Sequence, residues 1–457
     1  MSKRNFILLI IILILIIAGV FVFFYFQKNT NTPGGDNTNT NFFSQFNPFG
    51  SKKTTTPPPS TTPPADISDY EPPTTSIEIT NTNLKKISSM PVAGFVVFSK
   101  ERLKDTPIST TTPVVETTTN GTIPATTPVV KKTTTKITSP LTEFVSALRY
   151  VDKTNGNIYQ TFADKIEERR FSTTVIPKIY EAFFGNKGNS VVMRYLKEDG
   201  RTIQTFVGKL SKEILGGDTT ESSELTGSFL PENIKDISIS PDTLNLFYLF
   251  ELGNNIVGTT LNLSDDKKVQ VFDSPFTDWL SLWPNSKIIT FTTKPSSGIP
   301  GYMYALDLSS KNFSNILSNI NGLTTLTSPD GKLVLYGNDA LSLSIFHTDT
   351  KTSDLLGIKT IPEKCVWGRV GNTLYCAVPK SIDNVGYPDS WYQGEVSFSD
   401  ELWKIDILTG NATMVFDPTT AAEGLEIDGI KLALDDNENY LFFVNKKDSY
   451  LWEYNLK

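Results

Sequence analysis

The chain has 457 residues, 20% of them charged and 39% hydrophobic, with a net charge of −7. That length accommodates an anchor, a linker and one large domain. The acidic balance argues against a nucleic-acid partner, because such binders need cationic patches that release counterions. One histidine, His347, and two cysteines, Cys365 and Cys376, exclude the usual zinc ligand sets, so neither a metal nor a cofactor is expected.

Residues 6–26 form an apolar run without a charge. At ~1.5 Å per residue it spans about 32 Å as a helix, enough for a bilayer core of ~30 Å. A cleaved signal peptide is the alternative, but its apolar core is shorter and ends at small residues. Here the run ends in Phe21-Val-Phe-Phe-Tyr-Phe26, with no A-x-A pattern after it. An uncleaved transmembrane signal anchor is the favoured reading. Lys3 and Arg4 precede the span, which places residues 1–5 in the cytoplasm and the rest of the chain outside. A single-pass membrane protein follows.

Residues 27–82 are dominated by Thr, Asn, Pro and Ser. Too few apolar groups are present to offset the entropy of ordering, so a disordered stalk is expected. Its proline runs bias it toward extended polyproline II, and the composition is that of O-glycosylated stalks. A small aromatic cluster, Asn41-Phe-Phe-Ser-Gln-Phe-Asn-Pro-Phe49, interrupts it and is read as a weak local hydrophobic cluster. A second Thr/Pro-rich tract, 104–140, lies between strand-like segments. It reads as a disordered excursion within a domain spanning 83–457, since long loops cost only logarithmically in entropy.

From residue 84 onward a strand module recurs. Ile237-Ser-Ile-Ser-Pro-Asp242, Leu280-Ser-Leu-Trp-Pro-Asn285, Thr325-Leu-Thr-Ser-Pro-Asp330 and Leu432-Ala-Leu-Asp-Asp-Asn437 are each followed by a second β-rich run and then a third. A period of roughly 40–50 residues built only of strands is a propeller signature. Four strands per blade give a first blade at 92–98, 146–152, 157–163 and 168–173. The second falls at 178–229, and the third to sixth at 234–273, 277–318, 322–357 and 363–417. The seventh has three strands, 427–434, 440–444 and 450–454. Its missing rim strand is available at 84–88, which predicts an all-β, seven-bladed β-propeller closed by strand swapping.

The turns Ser328-Pro-Asp-Gly331, Ser240-Pro-Asp242 and Trp283-Pro-Asn285 suit proline at the second turn position and Asp or Gly after it. Together with the repeat they resemble TolB-like β-propellers, relatives of the WD-repeat family, over residues 84–457. Only three blades carry the motif, and the Trp-Asp ending of WD repeats is absent. The resemblance implies a binding platform.

Loops that lead into inner strands share one face with the loops joining second to third strands. Asp236, Asp278, Glu363 and Asp428 fall near the starts of inner strands. Converging on one mouth, they would make a negative funnel for a cation, an amine or a basic peptide; dispersed, they are solvated loop residues. The longest loop on that face, 379–399, carries Tyr387, Trp391, Tyr392 and Phe398. Such aromatics either grip a partner protein or sugar or fold the loop onto itself. A shorter loop, 294–301, lies beside Tyr302 and Tyr304. Cys365 and Cys376 fall on the first two strands of blade six, where their spacing suits a cross-strand disulfide; two buried thiols are the alternative. His347, in a third strand, reads as a structural or surface side chain.

The expected function is a ligand-binding interaction module at the cell surface, presenting its top face to a protein or glycan, with Asp236, Asp278, Glu363, Asp428, Trp391 and Tyr392 as binding residues. The alternative is a glycosidase-like hydrolase with an acid–base pair drawn from the same acids. The Asp-box of sialidases, an arginine cluster and a Gly-x-Ser-x-Gly motif are all missing from the chain, so no catalytic residue is assigned.

Overall fold

A computed structural model of the chain describes residues 83–104, 142–211, 224–421 and 424–457. The expected anchor 6–26, the stalk 27–82 and nearly all of the insertion 104–140 lie outside them. Among the described residues no helix is long and apolar enough to cross a membrane.

Among the described residues twenty-eight strands form seven four-stranded antiparallel sheets. The all-β, seven-bladed propeller expected from the repeats is present. Blade one uses Val92–Leu103, Thr142–Asp152, Ile158–Phe162 and the two-residue Arg169–Arg170. Its first hairpin runs further than the apolar pattern indicates, with pairing continuing to Leu103 opposite Thr142. The extra arm is mostly polar and half-buried, with Leu103 and Phe144 exposed, a pattern that hydropathy alone does not mark as strand. Residues 104–141 therefore connect the first and second strands of this blade.

Second strands read as continuous apolar runs because both of their faces are covered by neighbouring blades. In Asn245–Leu252 the side chains alternate direction with period two. Leu246 and Tyr248 pack with Val192 and Val207 of blade two, whereas Phe247 and Leu249 pack with Ile289 and Phe291 of blade four. Each such side chain contributes about 1.5–3 kcal/mol by burial. Rim strands such as Thr226–Phe229 are exposed throughout.

The recurrent turn joins the first and second strands through its own side chains. In blade five Ser328 Oγ donates to Asp330 Oδ1 at 2.6 Å and accepts from the Leu333 amide at 3.0 Å. Gly331 supplies the left-handed residue at φ +76°. Blade three repeats these bonds through Ser240 and Asp242, with Thr243 at φ +61° in the glycine's place. Blade seven substitutes Asp435, whose Oδ1 accepts from the Asn439 and Tyr440 amides at 2.6 and 2.8 Å.

The ring closes on a non-local strand. Leu84, Lys85 and Lys86 pair antiparallel with Tyr454, Glu453 and Trp452, completing the sheet of Gly429–Leu434, Tyr440–Asn445 and Leu451–Asn455. The Ile87 amide adds a bond to the Leu451 carbonyl at 2.8 Å. Leu84 and Ile87 are each only 2% exposed, so the first segment of the domain is held by packing as well as by backbone bonds.

Candidate functional site

The inner strands of blades two to five and of blade seven surround a central cavity of about 600 Å³. Glu181 and Phe183 face it from blade two, Asp236 from blade three, Ser281 from blade four and Thr325 from blade five. Lys431 faces it from blade seven, where a register shift between Ile430 and Ala433 and a φ of +53° turn the lysine off the ordinary strand path. Bulges re-aim side chains in this way.

One end of the cavity is covered by the loop between the second and third strands of blade six. Pro362–Lys364 form a 3-10 turn below it, and a short helix, α1 (Asp389–Tyr392), lies over the lumen. The loop crosses above blade five and reaches blade four, where the Ser297 amide donates to Asp389 Oδ2 at 2.5 Å. Tyr387, Trp391 and Phe398 are 3–4% exposed and pack with Leu341 and Ile361 as a separate core. Three of the four loop aromatics thus fold the loop onto the propeller. Only Tyr392 remains open to the lumen side.

A buried charge cluster fastens this loop. Lys364 is wholly buried, bonded to Asp400 at 2.7 Å and to Asp428, which are wholly buried too. Its ammonium lies 5.3 Å and 5.2 Å from the ring centres of Trp391 and Phe398. Asp428 also accepts from Trp391 Nε1, Ser397 Oγ and the Phe398 amide. Burial pushes its carboxyl up, but the Lys364 charge and these donors hold it below the usual carboxylate range. For Asp400 burial outweighs Lys364 and raises it to about 6.

The four acids from the inner-strand starts therefore divide. Asp236 and Glu363 line the cavity. Asp428 is turned beneath the loop to neutralise Lys364, and Asp278 is exposed and not among the lining residues. A four-acid funnel is not formed: loop packing needed one carboxylate as an internal counter-ion, and nothing draws Asp278 inward. Trp391 and Tyr392 do border the lumen, Trp391 as a buried wall and Tyr392 as a donor to Glu363.

Asp236 Oδ2 accepts from the Ser281 amide at 2.5 Å and from Ser281 Oγ at 2.7 Å. Removal from bulk water pushes it up to about 6 despite those bonds. Burial raises Glu363 as well, opposed by the Tyr392 hydroxyl and assisted by the negative field of Asp236. The Glu363 side chain is reachable by solvent yet surrounded by protein, because it faces the lumen. Glu181 is matched by Arg194 at 2.6 Å. The Lys431 ammonium donates to the Ala93 carbonyl at 2.9 Å, and that of Lys446 to the Trp391 carbonyl while sitting 4.0 Å from the Trp391 ring centre.

Glu181, Lys431 and Lys446 escape a reading centred on loops. The usable signal is a charge inside an inner strand, as in Ile179-Tyr-Glu-Ala182 and Gly429-Ile-Lys-Leu432, where the repeat otherwise places small or apolar residues. Among the described residues no group of three or more His, Cys, Asp or Glu could hold a metal ion. His347 Nε2 lies 2.9 Å from Asp354 Oδ2, away from the cavity. Cys365 and Cys376 stand directly opposite each other in blade six and form a disulfide.

No family model matches the sequence, and no curated protein matches it. Solved structures similar to the chain include TolB from Acinetobacter baumannii, at 12% identity and a TM-score of 0.37 over 57% of this chain. The chain spans 59% of that protein's length. An oligogalacturonate lyase from Vibrio parahaemolyticus is similar at 9% identity and a TM-score of 0.47, covering 68% of this chain and 85% of the lyase. A functionally unknown protein from Desulfotomaculum acetoxidans gives 15% and 0.42 over 67% of this chain and 90% of its own.

Proposed function

We propose that this protein is a cell-surface interaction module: a propeller carried outside the membrane on residues 27–82, anchored by residues 6–26, that captures a protein segment or glycan at the covered end of its channel. One observation carries the reading. The blade-six loop is locked over the lumen by a buried lysine and two aspartates, leaving Tyr392, Glu363 and Asp236 along one cavity wall system. A rigid cover over a chemically mixed cavity suits recognition, in which geometry is set before the ligand arrives.

The test is a photo-crosslinking residue in place of Tyr392 in the full chain, compared with one in place of Val370, which is 79% exposed in the turn between the first two strands of blade six. Crosslinking to one partner from position 392, lost on adding Glu363→Gln, is expected. Capture from position 370 with none from 392 would overturn the reading.

A second reading, carboxylate-dependent hydrolysis, draws on one fact: Asp236 and Glu363 share a cavity and both hold their protons more tightly than ordinary carboxyls. A raised acid beside a second carboxylate is the equipment of glycoside hydrolysis. Turnover of a glycan by the full chain, abolished in Asp236→Asn, would favour it over capture.

A further inference from the structure

We propose that the channel selects its ligand by a primary ammonium group, received by Asp236 and Glu363; the inference rests on the channel being the binding site. The argument is one of unmatched charge. Among the described residues five charged side chains line the cavity: Glu181, Asp236, Glu363, Lys431 and Lys446. Glu181 already has Arg194. Both lysines spend their ammonium groups on backbone carbonyls, Ala93 and Trp391 respectively.

Asp236 and Glu363 are left with neutral donors only, Ser281 and Tyr392. Arg194 acts on Asp236 and Lys446 on Glu363 through space, but their donor groups are spent on Glu181 and on the Trp391 carbonyl, so neither acid has a cation in contact among the described residues. Two carboxylates enclosed by protein with no cation in contact repel each other and lack full hydration. A cation entering the lumen relieves both penalties at once. Lys446 supplies part of that charge to Glu363 from its tether on the Trp391 carbonyl, and Lys431 is held at the Ala93 carbonyl.

The type of cation follows from the rest of the wall. A divalent metal needs several oxygen ligands, and the described residues offer no group of three acids, histidines or cysteines. A quaternary ammonium group has no N–H to donate to either carboxylate, and the face of Trp391 is already occupied by Lys446 at 4.0 Å. A guanidinium is served by a carboxylate with both oxygens free for its fork, whereas Asp236 Oδ2 is committed twice to Ser281. A compact ammonium carries three donors that turn freely. Its three donors match the acceptors of this wall, two carboxylates and the hydroxyls of the Thr292–Thr325 pair, whose oxygens lie 2.6 Å apart.

A lysine side chain of a partner protein and a free small amine share this chemistry. The experiment uses the full chain with cadaverine, glucosamine and Nα-acetyl-lysine methylamide, and with the Nε-acetylated form of the last as the uncharged control. Binding is measured by calorimetry and by competition with the Tyr392 crosslink. The amines are expected to bind and compete, and the acetylated form to do neither. Asp236→Asn and Glu363→Gln each weaken binding by roughly tenfold or more.

Lys446→Met, which removes the resident positive charge that acts on Glu363 and leaves both acids in place, tightens binding about threefold. That gain cannot come from misfolding. Stronger competition by the lysine derivative than by cadaverine or glucosamine assigns the source to a protein side chain; the reverse assigns it to a small amine. Equal binding of the acetylated control, or no binding by any amine while the crosslink persists, overturns ammonium recognition and leaves the channel reading standing. Amine binding with the partner captured at position 370 overturns the channel reading instead.

Discussion

Glu453 shows what a single residue does when its neighbours are set by the ring. It lies in the third strand of blade seven, directly opposite Lys85 on the closing strand, and is fully buried. Neither carboxylate oxygen has a hydrogen-bond partner. Burial raises its pKa to about 8, with Lys85 pulling down and Asp164 and Asp435 pushing up. The folded value lies above the unfolded one, so the folded state binds a proton that the unfolded chain has released between about pH 4.5 and 8. Stability contributed by this group is complete below that window and is lost as pH rises through it. Denaturant unfolding of the native chain should therefore weaken by up to ~1.4 kcal/mol per pH unit across the window from this residue alone. Glu453→Gln should remove that part of the slope; an unchanged slope would show that the carboxyl is ionised in the fold. Asp236 and Asp400, each near 6, add slope of the same sign below that value. None of these shifts is legible in the chain, because each depends on side chains far away in sequence.

At the scale of elements, the loop over blade six is the clearest case of tertiary packing reassigning residues. Its aromatics have the composition of a gripping surface, yet Tyr387, Trp391 and Phe398 became the loop's own core. Asp428 has the address of a mouth residue, yet it became the counter-ion of Lys364. Lys364 itself stands in a short turn, Pro362–Lys364, where nothing local announces full burial. Breaking a buried pair by removing one partner costs about 3–5 kcal/mol, since the charge left behind is uncompensated. Lys364→Met leaves two aspartates in that position. Urea unfolding should show a loss of that size, and hydrogen exchange should rise in 379–399 before the strands. Exchange unchanged in the loop would mean that the cluster does not hold it. By contrast, the Ser-Pro-Asp turns were readable one by one, because their bonds run between residues two to five apart.

For the whole molecule the decisive contact joins the two ends of the domain. Leu84 to Lys86 supply the rim strand of blade seven, and without them Leu451–Asn455 presents an open edge. Leu84 and Ile87 are both buried, and loss of one such side chain costs about 2–5 kcal/mol. A chain beginning at Ser89 should unfold at lower denaturant and associate on size exclusion, whereas one beginning at Asn83 should behave as the native domain does. Identical behaviour of the two would refute closure by this strand.

Blade number and strand order could be drawn from the chain because a β-propeller repeats a local pattern: period-two burial, a side-chain-bonded turn, the next strand. Those interactions are short in sequence, so the residues carry them without help. The place of closure followed only from the strand that the last repeat lacks. Which charges meet in the lumen could not be drawn in that way. Asp236 and Glu363 come from blades three and six, Lys431 from a bulge in blade seven, and only closing the circle puts them around one cavity. Electrostatic identity follows from distance and solvent access, and both are properties of the assembled ring.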